Sequence, residues 1–594
     1  MLNKPFHSPS TASFLDNIRI SRLQALFRRG ELALVVLAVG VGALAGLLVS
    51  LMSFLSTELH RHVFGVEGTL SGSHVSGAIV LIGPITGGIV LGLIFFILSR
   101  TRKRPMLDPI EANALHGGRL SLTDSIIVTV QNIISNGFGA SVGLEAGYSQ
   151  IASGFASKIG GKLKLRRGDM RIIVGCGAAG AIAAAFDAPL TGAFYAIELI
   201  IGSYTVTTLA PVMVSALTAK IVAKQIIDHG ITIKVGRIGE ITPSDYVPAI
   251  LLGVICAVIA IVLMQTVSLI EETARKSSIS QTFRPVLGGV IVGFLGMISP
   301  QVLSSGHGAL HINMNTSSTL QALVMVFLLK SLASAVSIGS GFRGGLFFAS
   351  LFMGSLIGKI FAFGSVLFPG MSLAPVIYGV VGMSSFAAAV IGGPLTMSFL
   401  ALEVTGDFPI TALVLASVIT TSLVVRVFFG YSFATWRFHL RGETIRSAHD
   451  VGWIRDLTVG KMMRADVRSA KLSMGIEAFR KEFPLGSTQR VIIINDDGRY
   501  LGIVLVPEIH AEPLGRDGAE RSLDSYLRFQ KDVLLPTMNV KQAAALFEAT
   551  KSEALAVVSD RVQHRPIGLL TESHTLRRYS EELDQRRREA SGEF

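Results

Sequence analysis

Apolar positions run on along this chain for far longer than a water-soluble helix requires. Leu32 to Thr57, Ala78 to Leu98, Leu199 to Ala219 and Val247 to Ile270 carry no charged residue. Each is long enough to cross a hydrocarbon core that needs roughly 20 helical residues, so each is predicted to be a membrane helix. A secretory signal does not account for the first stretch, which outruns an h-region and is followed by others of its kind. The apolar density continues to about Phe429, and then Arg437, Arg441, Glu443, Arg446 and His449 mark a return to water. The pattern divides the chain into a cytoplasmic lead (1–30), a membrane part (31–442) and a soluble tail (443–594). The lead is polar at first and turns basic and amphipathic at Ile18 to Phe27, the pattern of an interfacial helix.

Within the membrane part the pattern repeats. AAAFDAPLTGAFYAIEL from Ala183 is echoed by AAAVIGGPLTMSFLALEV from Ala387. VGLEAGYSQIASGFASKIG, ending at Gly160, is echoed by SGFRGGLFFASLFMGSLIG, ending at Gly358, with Gly143 and Gly147 falling on Gly341 and Gly345. Blocks repeated in the same order mean an internal duplication, a common transporter architecture. Gly137 to Gly147, Gly339 to Gly345, Pro189 and Pro394 also cut the apolar runs into pieces shorter than a span. Broken helices at bilayer depth leave unpaired N–H groups, which are tolerated only where they line a cavity or meet an ion. A helix start carries about half a positive charge, so two starts aimed inward form an anion site without a buried lysine or arginine.

The tail has a different period. AFRKEF and RVIIINDDGRYLGIVLVPEIH are followed by ALFEATKSEALAVVSDRVQHRPIGLLTESHTL. Each unit reads as an amphipathic helix, a β-branched strand, a turn, a second strand and a polar helix, with Asp496-Asp497-Gly498 as a hairpin signal. This is a paired α/β module, with units at about 457–510 and 533–580.

Half of the 594 residues are hydrophobic and 16% are charged, which excludes an ordinary soluble globule. The formal charge of +12 raises the question of nucleic acid. Much of the basic excess, however, flanks apolar runs at Arg19 to Arg29, Arg100 to Arg104 and Lys158 to Arg171, which is the positive-inside pattern. It points to a lipid bilayer as the partner, with both termini cytoplasmic. Cys176 and Cys256, the only cysteines, sit in apolar segments, so neither a disulfide framework nor a cysteine metal site is expected.

VGLEAG at Val142, AAAFDAPLTGAFYAIE at Ala183, LLKSLASAVSIGSGFRGGLFFASLFMG at Leu328 and FLALEVTGDF at Phe399 together resemble the CLC family of chloride channels and proton-coupled chloride transporters. The likeness runs in family order from about Leu32 to Gly442. TVGKMM at Thr458 and GIVLVPEI at Gly502 resemble a pair of CBS domains. The resemblance implies a CLC-like inverted repeat of broken α-helices followed by a C-terminal α/β CBS pair, in a homodimer with one pore per subunit. It implies passage of chloride or other small anions, with Glu145 as the gate. Backbone groups at Gly143, Leu144, Ala146, Gly147, Gly345, Leu346 and Phe347 would hold the anion.

Several positions depart from the family pattern. Leu144 and Ala146 stand where Arg and Pro usually flank the glutamate. Met106 occupies the position of a hydroxyl-bearing serine, with Asp108 nearby, and Ala434 that of a pore tyrosine. Tyr431, one turn earlier, is the candidate substitute. The inner proton glutamate would fall on Leu199, beside Glu198. Looser anion selectivity and channel-like or weakly proton-coupled flux are therefore expected. In the tail, Leu505 and Glu508 occupy the nucleotide-contacting positions of the first unit, and Thr571 and His574 those of the second. An adenine nucleotide at Thr571 and a purely structural dimerisation module both stay open.

Two other functions are weighed against anion passage. A non-transporting CLC-like sensor fits the same departures. A CBS-bearing divalent-cation transporter needs converging oxygen ligands, whereas Glu145, Asp187, Glu198, Glu403 and Asp407 lie on separate segments. No HExxH is present, and an enzyme is not expected.

Overall fold

The computed structural model describes residues 31–66, 72–102, 104, 106–226, 241–364, 373–440, 457–511, 522–560 and 562–591. The interfacial helix expected at Ile18 to Phe27 lies outside them. The chain divides into two compact units, Met1–Asp450 and Val451–Phe594.

In the first unit α1 (Glu31–Phe64), α2 (Ile79–Thr101), α3 (Pro109–His116), α4 (Leu122–Gly137), α5 (Glu145–Lys162), α6 (Arg167–Phe186), α7 (Pro189–Tyr195) and α8 (Val206–Lys224) form a first set. A second set of eight follows: α9 (Tyr246–Lys276), α10 (Arg284–Ile298), α11 (His307–Asn315), α12 (Leu320–Ser340), α13 (Phe347–Phe363), α14 (Pro375–Ile391), α15 (Pro394–Thr405) and α16 (Phe408–Phe428). A short α17 (Phe433–Leu440) closes the unit. Seven of the described helical segments are long and apolar enough to cross a membrane. Leu47, Leu51 and Phe54 on α1 and Val258 and Val262 on α9 stay exposed, as a lipid-facing surface requires. This is a multi-pass membrane protein.

The packing reproduces the duplication. α1 packs on α6 and α8, as α9 packs on α14 and α16; α5 packs on α6, as α13 packs on α14. The two sets meet through their like members, α2 on α10 and α7 on α15. Small residues permit the close crossings: a side chain at Gly88 would strike the backbone of Pro285, and one at Gly289 the backbone of Pro84.

Two expectations change. The run from Leu199 to Ala219 is not one span, because α7 continues as a π-helical turn (Ala196–Ile201) that ends where Gly202 takes φ +77°. Thr205 then starts α8 afresh through a capping box with Thr208. The repeat register also shifts: α5 opens at Glu145 and α13 at Phe347, so Gly143 corresponds to Gly345 and not to Gly341. Small-residue helices align almost as well one turn out of register, which is why the sequence echo misplaced it.

Lys330, fully buried on α12, has its Nζ donating to the carbonyls of Val302 (3.1 Å) and Ser304 (2.8 Å). A short 3-10 turn (Pro300–Val302) and the irregular residues after it, with carbonyls to spare, are what let an ammonium group stay inside the membrane part.

In the second unit α18 (Val459–Met462) precedes β1 (Ser469–Lys471), α19 (Ile476–Glu482), β2 (Arg490–Ile494), β3 (Tyr500–Leu505) and α20 (Val506–Ala511). α21 (Val540–Thr550), β4 (Ala554–Val558), β5 (Pro566–Thr571) and α22 (Glu572–Ser591) complete it. β2–β3 and β4–β5 are antiparallel hairpins, and β1, which the sequence pattern did not announce, pairs parallel to β2. Gly502 and Gly568 admit neighbouring backbone, at Arg528 and Arg464 respectively, where a side chain would collide.

Candidate anion pathway

Each of the two Gly-rich turns ends in a helix start, and the turns meet. The Gly143 N–H donates to the Gly345 carbonyl (2.8 Å) and the Gly345 N–H to the Gly143 carbonyl (3.2 Å), a single antiparallel bridge between the halves. No side chain fits at Gly344, whose missing Cβ faces Val142 and the Gly143 carbonyl. Polar side chains of α4 fix both turns. Asn132 Nδ2 donates to the carbonyls of Gly143 (3.0 Å) and Arg343 (2.9 Å), Asn136 Nδ2 to that of Val142 (2.7 Å), and Ser135 Oγ accepts from the Arg343 N–H (3.0 Å). α12 adds Ser337, whose hydroxyl accepts from the Ser141 N–H (3.0 Å). A loop inside a membrane protein must satisfy its backbone this way.

Glu145, the first residue of α5, is only 3% exposed. Its carboxylate folds back over Gly143 and lies against the backbone amides of Glu145 and Phe348, and among the described residues its Oε2 has no hydrogen-bond partner. Phe348 belongs to the first turn of α13, so the carboxylate occupies the junction of two helix starts, where a negative charge is most favoured.

Beside it opens a cavity of about 220 Å³. Met106, Leu107 and Asp108 ahead of α3 form one wall, and Asn132, Glu145, Ala146, Gly147 and Gln150 another. Tyr195 and Leu199, Arg343 to Phe347, Val390 and Ile391, and Phe433, Ala434 and Arg437 also line it, with Ser149 and the apolar Ile110, Val128, Ile200 and Phe438 among the rest.

Of the site residues expected from sequence, Met106, Glu145, Ala146, Gly147, Leu199, Gly345, Leu346, Phe347 and Ala434 meet at this one cavity. Gly143, Leu144, Glu198 and Thr571 do not line it. The expectation that all the loop amides face the ion is corrected at two positions, because the N–H groups of Gly143 and Gly345 are spent on each other. Leu144 is fully buried among Ala45, Val49 and Tyr148. The carboxylate of Glu198 accepts from the N–H groups of Leu395 (3.0 Å) and Thr396 (2.9 Å). Thr571 lies in the second unit, at the end of β5. Tyr431 is not among the lining residues either; its hydroxyl meets His439 Nδ1 at 3.2 Å.

Sequence reasoning missed Asn132, Gln150, Tyr195, Arg343 and Arg437. The signal for Asn132 was present: Gln131, Asn132, Ser135 and Asn136 put polar groups one turn apart on an otherwise apolar helix. Arg437 is engaged with Glu271, Nε to Oε2 at 3.3 Å.

The family model described as voltage gated chloride channel matches residues 86–426, a span that includes both turns and the helices they open. The chain belongs to the voltage gated chloride channel family. Among curated relatives, a ClcB-like chloride channel protein from Ralstonia nicotianae is 30% identical over 346 residues, 57% of this chain and 81% of that protein. The voltage-gated ClC-type chloride channel ClcB of Shigella flexneri is 27% identical and covers 67% of this chain and 97% of its own. Among solved structures, a slow cyanobacterial Cl−/H+ antiporter superposes with a TM-score of 0.59 at 22% identity, over 69% of this chain and 97% of that one. A eukaryotic CLC transporter gives 0.59 at 18% identity, over 93% and 98%. At those identities the two structures establish the fold. With family and fold together, this membrane protein is a CLC-type anion channel or transporter.

Proposed function

We propose that the chain passes chloride or other small anions by channel-like or weakly proton-coupled flux, with Glu145 as the gate. The observation that carries this reading is the buried Glu145 carboxylate, seated between the starts of α5 and α13 at the wall of the cavity. A carboxylate in that position occupies the ground an anion would take, and protonation frees it. Weak coupling is supported by Leu199, an apolar residue in the cavity wall where the family resemblance expects an acid, and by the engagement of Glu198 elsewhere. Loose selectivity is supported by Met106 and Ala434, which offer the cavity no hydroxyl.

The same apolar residues at Met106, Leu199 and Ala434 support the second reading, a sensor that keeps the fold without flux. The acids named for a cation transporter have other work: Asp187 pairs with Lys220 (3.3 Å) and Asp407 caps α16 through the Ile410 N–H (2.8 Å).

The tail is read as a tandem CBS pair that joins two copies of the chain on the cytoplasmic side. Glu508 is already paired with Arg528, which supports the dimerisation role over nucleotide binding in the first unit. At Thr571 the hydroxyl accepts from the His574 N–H at 3.4 Å, and adenine nucleotide titration of the purified protein tests that position. Efflux of chloride, nitrate, bicarbonate and fluoride from proteoliposomes, with a pH electrode in the bath, tests the whole reading. It predicts efflux of several anions without a fixed proton ratio. Vesicles tight to all four would favour the sensor, and chloride-driven proton uptake at a constant ratio would refute weak coupling.

A further inference from the structure

α7 and α15 pack against each other, and their sequences share a proline at the first helical position, a Leu-Thr pair after it and a glutamate near the far end. The contacts between them are reciprocal. Glu198, in the π-helical turn that prolongs α7, accepts from the Leu395 N–H (3.0 Å), the Thr396 N–H (2.9 Å) and the Thr396 hydroxyl (2.6 Å) at the start of α15. Glu403, near the end of α15, accepts from the Leu190 N–H (2.8 Å), the Thr191 N–H (2.9 Å) and the Thr191 hydroxyl (2.7 Å) at the start of α7. Midway, Phe194 stacks on Phe399 with centroids 4.4 Å apart. The two helices therefore run antiparallel, each glutamate closing the other's start.

The physical need is plain. A proline at the first position has no N–H, so the next two amides are the first that require acceptors. In a membrane protein, water is not there to supply them. A carboxylate serves both amides and the threonine hydroxyl through charge-assisted bonds, which are stronger than neutral ones. Gly393 precedes the served turn because a side chain there would press on the Glu198 carboxylate.

We infer that Glu198 and Glu403 are a matched pair of positioning residues that set the width of the anion cavity. Tyr195 and Leu199, which flank Glu198 on its own element, line the cavity, and so do Val390 and Ile391, just ahead of the Gly393-Pro394 start that Glu198 holds. The clasp ties these two walls together. Glu198 acts through its hold on α15, and Glu403, remote from the lining, matters equally because releasing either end loosens the same helix pair. This rests on the anion-pathway reading, and the test separates the two.

The test uses the full-length protein with Glu198→Gln, Glu403→Gln, Thr191→Val, Thr396→Val and the hydroxyl-keeping Thr191→Ser and Thr396→Ser. Three readouts are taken: chloride efflux from liposomes, the chloride concentration giving half-maximal flux, and the unfolding midpoint in detergent. The clasp predicts that both Gln variants slow efflux by a similar factor, roughly threefold or more, and shift the half-saturating concentration in the same direction. The Val variants should follow them, and the Ser variants should behave as the parent. A Glu403→Gln protein matching the parent in flux and midpoint, while Glu198→Gln alone changes flux, would overturn the pair and leave Glu198 acting by itself. Should a Gln variant fail to fold, the Val and Ser comparison decides. Should the parent carry no chloride, the anion reading fails, and equal lowering of the midpoint by both Gln variants still supports the clasp while unequal lowering refutes it.

Discussion

Glu145 is a carboxylate whose neighbours are backbone amides and glycine, and Asn132 is the side chain that keeps those neighbours in place. A single amide group bonding the carbonyls of Gly143 and Arg343 holds the two turns from one point. Asn132→Ala leaves both carbonyls without that donor, at a cost of about 1–3 kcal/mol. A lower unfolding midpoint together with altered anion permeability ratios is the expected outcome; an unchanged protein would show that the Gly143–Gly345 bridge suffices alone. Met106 and Ala434 carry the opposite prediction. Met106→Ser and Ala434→Tyr restore hydroxyl donors to the cavity wall and should raise the preference for chloride over nitrate. Parent-like permeability ratios in both variants would mean that neither position meets the ion. The sequence supplied Glu145, Met106 and Ala434 because each stands in an alignable motif. It did not supply Asn132, Tyr195 or Arg343, whose roles arise only when segments far apart in the chain come together.

Helix starts and crossings carry the architecture at the next scale. The long spans α1, α2 and α9 were legible as charge-free runs, and the short α7 and α15 as runs broken by proline. The break between Ile201 and Val206 was not legible, because Gly202 and Thr205 are uncharged and hydropathy does not register φ +77° or a capping box. Nor was the register of the repeat, which depends on where α5 and α13 begin, and small residues leave that open by one turn. The α13–α14 crossing shows what such residues do. A methyl group on Gly358 would run into the backbone of Tyr378, so Gly358→Ala should destabilise the protein by about 1–3 kcal/mol through overpacking. The change sits away from the cavity lining, and the midpoint should fall with the permeability ratios unchanged. A parent-like midpoint would mean that the crossing is looser than its spacing implies.

The molecule as a whole joins two units of different chemistry, an apolar duplicated unit and an α/β pair whose halves each have a core and share a cluster of Ile492, Tyr500, Ile503, Ala556 and Val558. Duplication accounts for the place of the candidate pathway: at the junction of the halves the starts of α5 and α13 come together beside the Gly143–Gly345 bridge. The reciprocal arrangement of Glu198 and Glu403 is the same symmetry expressed in hydrogen bonds. In the function proposed above a single carboxylate, Glu145, decides whether that point holds an anion, and one comparison reads this most directly: chloride efflux from proteoliposomes across pH for the parent and for Glu145→Gln. The account predicts efflux that rises as pH falls in the parent, and faster efflux with little pH dependence in the variant, whose side chain carries no charge to compete. Efflux with the same pH profile in both proteins, or none in either, would contradict it.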